Sequence, residues 1–175
     1  MATDCFSYKA GYFRDMNKSE LYQTILIELE NVHKVALAAA QRAIDTATDE
    51  ESEAENKYDT FGLEASYLAH GQSKRVAQCE ADLAVFNKLK INNQEPGDAV
   101  SIGSLVIIED EKANQQLIFL SPVAGGLKVM YKHELITIVT PSSPLGKALY
   151  LSKPEDEIEV NSGDEKKQYL ITDVY

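Results

Sequence analysis

Along the first third of the chain, apolar residues recur at alternating three- and four-residue steps: Tyr22, Ile25, Leu29, Val32, Ala36, Ala39 and Ala43. That spacing is the seam of a coiled coil, narrower than the face of a globular helix. It predicts a helix over residues 19–47, capped by Ser19, with Glu20 in the first turn where the helix dipole favours an acid. A second seam, Tyr58, Gly62, Ala65, Ala69, Gln72, Val76, Cys79, Leu83 and Phe86, predicts another helix from Glu53 or Tyr58 to about Lys88. Small residues crowd the ends of the two seams that are nearest in sequence. Folded back antiparallel, Gly62, Ala65 and Ala69 are expected to meet Ala36, Ala39 and Ala43, while Leu83 and Phe86 meet Ile25 and Leu29. The first arm would reach on the order of 40 Å.

Between the seams lies Asp45 to Asn56, with acids at Asp45, Asp49, Glu50, Glu51, Glu53 and Glu55 and no base. Like charges packed this closely repel, so the stretch belongs in water at a hairpin tip unless a cation is brought to it. Acid runs of this kind are more often simply solvated loops.

After Leu89 the period changes. Residues 91–98 are a polar Pro-Gly linker, which places a domain boundary near residue 95: a tail and helical hairpin over 1–95, a second domain over 96–175. Alternation then predicts strands over 100–109, 116–123, 127–130, 136–139, 157–160 and 168–174, a mainly antiparallel sheet. Gly125-Gly126 and Ser162-Gly163-Asp164 are expected as hairpin turns. Within residues 140–149, a Ser cap followed by Pro predicts one short helix. The fold class is therefore α+β.

The 175 residues carry a formal net charge of −11, which argues against autonomous binding to nucleic-acid backbone. The two cysteines, Cys5 and Cys79, give no disulfide framework, and Cys79 falls on a seam, where a small buried hydrophobe is the expected role rather than a nucleophile. His33, His70 and His133 have no metal-ligand spacing and are assigned structural or surface roles. Gly125-Gly126 and Gly146-Lys147 lack the spacing of a phosphate-binding loop and are read as turns. The first residues lack the apolar run of a signal peptide, and no later run is long enough to span a bilayer, so a cytoplasmic location and no membrane partner are expected. Residues 1–17, with Phe6, Tyr8, Tyr12 and Phe13, read as a docking or frayed tail.

Ser142-Ser143-Pro144-Leu145-Gly146-Lys147-Ala148-Leu149, then Asp156-Glu157-Ile158-Glu159-Val160, then Tyr169-Leu170-Ile171-Thr172-Asp173-Val174-Tyr175 resembles the C-terminal, FKBP-like domain of the bacterial Gre transcript-cleavage factors. The likeness covers residues 100–175, and that family pairs this domain with an antiparallel helical hairpin bearing an acidic tip. What the resemblance implies is an accessory factor rather than an independent enzyme, acting as a monomer. Its β domain docks at the rim of the RNA polymerase secondary channel and its hairpin enters, meeting nascent RNA and DNA only indirectly within the elongation complex. Tip acids would help hold a Mg2+ shared with the polymerase, so that backtracked RNA is cut. The family's tip reads Asp-Leu-x-Glu-Asn, and Ser52-Glu53-Ala54-Glu55-Asn56 matches it at Glu55 and Asn56, with Ser52 in place of the leading Asp. By this resemblance Glu51, Glu53 and Glu55 are the candidate assisting acids, and Glu53 and Glu55 the candidate metal ligands. Three classes stay open: a cleavage factor in which Glu51 or Glu53 replaces the missing acid, a channel-binding regulator without cleavage, and a helical-hairpin interaction module.

Overall fold

The computed structural model describes residues 17–48, 61–90, 97–163 and 165–175. They fall into two compact units: Leu26–Asn87, and Lys88–Tyr175 together with the start of the first helix up to Ile25.

Helix α1 spans Lys18–Thr48 and helix α2 spans Phe61–Phe86. The cap of α1 is Asn17, not Ser19: the Asn17 side-chain oxygen accepts from the Glu20 N–H at 3.3 Å, and its carbonyl accepts from the Leu21 N–H. Asn and Ser both serve as caps, and here the earlier one satisfies the free donors of the first turn. Glu20 lies in that first turn as expected. The seams hold. Leu29, Ala36, Ala43, Ala65, Cys79 and Phe86 are buried, and Val32, Ala39, Gly62, Ala69, Gln72, Val76 and Leu83 are half-buried. Ala40, absent from the expected seam, is buried as well.

In the small-residue half the register between the arms differs from the expected one. His33 Nε2 stands 3.5 Å from a Glu80 carboxylate oxygen across the pair. Stepping up one antiparallel arm steps down the other, so Ala39, six residues past His33, lies opposite Lys74 and beside Arg75 rather than opposite Ala65. Ala65 belongs across from the last turn of α1. The expected pairing matched small with small, whereas Ala39 shares its groove with Gln72 and Arg75 of the other arm.

The second unit contains β1 (Leu105–Asp110), β2 (Gln115–Leu120), β3 (Lys128–Tyr131), β4 (Glu134–Val139), the short helix α3 (Pro144–Leu149), β5 (Glu157–Ser162) and β6 (Glu165–Val174). The strands form one sheet in the order β3-β4-β2-β1-β6-β5, antiparallel throughout except for the parallel pair β2–β4. One face carries Val106, Ile108, Ile118, Leu120, Val139, Ile158, Val160 and Ile171, packed with Leu149 of α3. The opposite face presents Leu105, Ile107, Leu117, Phe119, Ile136 and Ile138, all buried. Alternation produces both faces at once.

The segment 100–104, expected as the start of a strand, is instead a turn, with Gly103 at φ +92 and the Ser104 N–H donating to the Ser101 carbonyl. Gly125-Gly126 is no hairpin turn, because β2 and β3 are not neighbours. The β3–β4 hairpin is turned by Lys132 and His133, both at positive φ (48 and 69), the two-residue pattern whose twist suits a hairpin. Gly163, also at positive φ, lies in the β5–β6 hairpin as expected, where Ser162 pairs with Glu165. In α3, Ser143 caps and Pro144 opens the helix as the sequence predicts, while Gly146-Lys147 is helical rather than a turn. A Cβ on Gly146 would run into the Thr140 carbonyl, so glycine is required inside this helix.

Two outcomes test the seam. Ala40→Leu and Ala43→Leu should each lower the unfolding free energy by about 1–3 kcal/mol through overpacking, measured by urea denaturation. Ala39→Leu, at a half-buried seam position that borders an open groove, should cost less than either.

Candidate functional site

The acids Glu51, Glu53 and Glu55, with Ser52 and Asn56, lie outside the described residues, on the chain between the end of α1 and the start of α2. The helix ends that flank them are on the page. The last turn of α1 carries no base, and its carbonyl end is the negative pole of the helix dipole. Asp45 is held by the Gln41 amide, which donates to a carboxylate oxygen at 2.7 Å. The Thr46 and Thr48 hydroxyls donate back to the carbonyls of Arg42 and Ile44. The first turn of α2 adds Glu64. The two helix ends oppose one another, the carbonyl end of α1 negative and the amide end of α2 positive, while the charged side chains of these flanking turns are acids.

Such a donor set suits a hard cation that prefers carboxylate oxygen, Mg2+ or Ca2+, over a soft metal. Among the described residues no group of three or more His, Cys, Asp or Glu side chains could hold a metal ion. His33 faces Glu80, His70 is exposed, and His133 sits in the β3–β4 turn, so the three histidines are not gathered. Cys79 is buried on the seam, as its spacing indicated. No described helix is long and apolar enough to cross a membrane.

A second constellation, invisible in the sequence, fixes the start of α1. Tyr22 stands edge-on to Phe119, ring centres 5.4 Å apart and planes at 87°, the arrangement aromatic quadrupoles favour. Gly103 passes so close that a Cβ there would lie 2.5 Å from the Tyr22 hydroxyl. From the β3–β4 hairpin, the Tyr131 hydroxyl donates to Glu20 at 3.0 Å, and the Lys132 ammonium stands 3.6 Å from the same carboxylate oxygen and 5.2 Å from the Tyr131 ring centre. Desolvation raises the Tyr131 pKa, and the Tyr131 hydroxyl, more than Glu20, raises that of Lys132. The signal available in the sequence was Tyr131-Lys132-His133 between two alternating runs. It marks a turn only to a reader who allows non-glycine residues at positive φ.

Burial pushes the Tyr22 phenol up to about 12. The folded chain then keeps a proton that the unfolded chain, with an ordinary pKa of about 10, gives up. The associated stability is fully present below about pH 10 and is lost as the pH rises toward 12. Wild-type protein should lose more stability across that window than Tyr22→Phe, as read from thermal melts. Gly103→Ala should destabilise by about 1–3 kcal/mol through crowding and backbone strain, and Tyr22→Phe in the same chain should recover part of that loss by removing the hydroxyl.

No family model matches the chain. Among curated proteins it is similar to the transcription elongation factor GreA of Rhodospirillum rubrum, 29% identical over 145 residues, covering 83% of this chain and 87% of that protein. It is also similar to the GreA of Syntrophus aciditrophicus, 24% identical over 154 residues, covering 88% and 90%. Solved structures with a likeness include the GreA factor homolog Gfh1 of Thermus thermophilus, at 16% identity and a TM-score of 0.37 over 86% of this chain and 94% of that one. The Gfh1 of Thermus aquaticus has 19% identity and a TM-score of 0.37, over 85% and 92%. The likeness to two GreA proteins runs over more than four fifths of the chain, so in sequence this protein is similar to the Gre transcription elongation factors.

Proposed function

We propose that this Gre-like elongation factor binds RNA polymerase through the secondary channel and that its acidic hairpin connection stimulates cleavage of backtracked RNA. The observation that carries the reading is a pair of helical arms with alanines buried at positions 36, 40, 43 and 65, joined in sequence by a stretch dense in acids. Alanine at a seam lets two helices approach closely, and a slim pair suits a confined channel. The two GreA relatives, each matched over most of its length, support the same reading.

In this mechanism Glu55 and Glu53, with Glu51 beside them, bring carboxylate oxygens to a Mg2+ held jointly with the polymerase. The ion, when bound, stabilises charge on the attacking and leaving oxygens of a phosphodiester. The residues of this chain supply negative charge, orient it at the end of two helices, and crowd bulk water from the channel. The protein performs no reaction alone. Nascent RNA and DNA are met only within the elongation complex, and a single copy suffices.

Glu55→Gln keeps the size of the side chain and removes its charge. Binding to core polymerase should survive, while Mg2+-dependent cleavage in stalled complexes should slow by about tenfold for each 1.4 kcal/mol of lost transition-state stabilisation. Ser52, where the family's tip has Asp, favours a second reading: a channel-binding regulator without cleavage. Wild-type protein that binds polymerase yet stimulates no cleavage at any Mg2+ concentration would select that regulator, and protein that does not bind at micromolar concentration would remove both.

A further inference from the structure

Within the helical unit, a groove of about 320 Å3 runs along one side of the two arms. Its floor is Val32, Val35, Ala36 and Ala39, with Glu28 toward one end and Arg75 toward the other. Val35 leaves 68% of its surface in water, as Ile27, Leu37, Leu63 and Leu68 also do in large part on the two arms, but it alone of these lines the groove. Among the described residues Arg75 makes no ion pair. Glu28 and Ala39 are eleven residues apart on α1, or roughly 16 Å along its axis.

We propose that this groove is a docking surface for a short protein segment presented by the polymerase channel wall, carrying a base, then one or two apolar side chains, then an acid. This inference rests on the polymerase-binding reading and extends it to a named surface. Charge complementarity sets the order of the segment: its base meets Glu28 and its acid meets Arg75, with the valine floor between. About five extended residues cover the distance. A nucleic acid fits poorly, because Glu28 repels phosphate and no aromatic ring lines the groove for a base to stack on.

The test is competition binding of full-length protein to core RNA polymerase, with and without extruded RNA, alongside thermal melts of each variant. Arg75→Glu should weaken binding by about tenfold, the loss of one well-placed charge contact. Ala39→Leu fills the floor and should weaken it comparably while leaving the melting temperature close to wild type. Lys74→Glu, one residue outside the groove, should change binding little, which separates a specific contact from general electrostatics. Wild-type affinity in both Arg75→Glu and Ala39→Leu would overturn the groove while leaving polymerase binding intact. A defect of Arg75→Glu seen only with extruded RNA would make the ligand a phosphate and overturn the protein segment. Wild-type protein that fails to bind polymerase at all would remove the parent reading and this surface with it.

Discussion

Burying an alanine removes little apolar area from water, so a seam built from Ala36, Ala40, Ala43 and Ala65 gains far less hydrophobic stabilisation than one of leucines. What it gains is closeness. The helical unit therefore leans on its larger seam residues, Leu29 and Phe86 above all, on cross-arm contacts such as His33 to Glu80, and on local side-chain bonds such as Gln41 to Asp45 and Gln78 to Asp82. Every alanine on the seam is a place where extra volume has nowhere to go, whereas Ala39 borders open space. Slenderness and marginal packing are the same property seen from two sides.

The β unit solves a different problem, in which backbone geometry rather than side-chain volume is limiting. Gly103 admits the Tyr22 ring, and Gly146 lets α3 pass the Thr140 carbonyl, because neither position has room for a Cβ. At the β1–β6 junction the register slips between Ile107 and Ile108, leaving Thr172 without a partner opposite, and its hydroxyl donates to the Ile107 carbonyl. The loop from β1 to β2 is closed by Asp110, whose carboxylate accepts from Lys112 and Asn114 and is held below the usual range chiefly by the Asn114 side chain. Each irregularity has a side chain or a missing side chain that accounts for it.

The fold class, both seams, the six strands and the capped helix α3 were legible because each rests on periodicity or on a cap, which are local properties. The cap at Asn17, the register between the arms and the turn at Lys132-His133 were not, since each depends on partners distant in sequence. Glycine was over-read: Gly125-Gly126 is a turn but joins no hairpin, and Gly146 looked like a turn because its tight neighbour, Thr140, is placed only by the folded chain. The acids at Glu51, Glu53 and Glu55 stood out by composition alone. Composition marks a charge density and leaves its geometry open.

The clasp between Tyr131 and the start of α1 has a consequence in time. Its hydroxyl reaches the Asn17 carbonyl across 114 positions of sequence. A ribosome adding roughly 5–20 residues per second needs on the order of 6–20 s to traverse that span. Through most of that interval Tyr22 has been synthesised while Phe119, the ring that stands edge-on to it, has not. The first turns of α1 thus leave the ribosome with an aromatic ring whose partner is made only much later in synthesis.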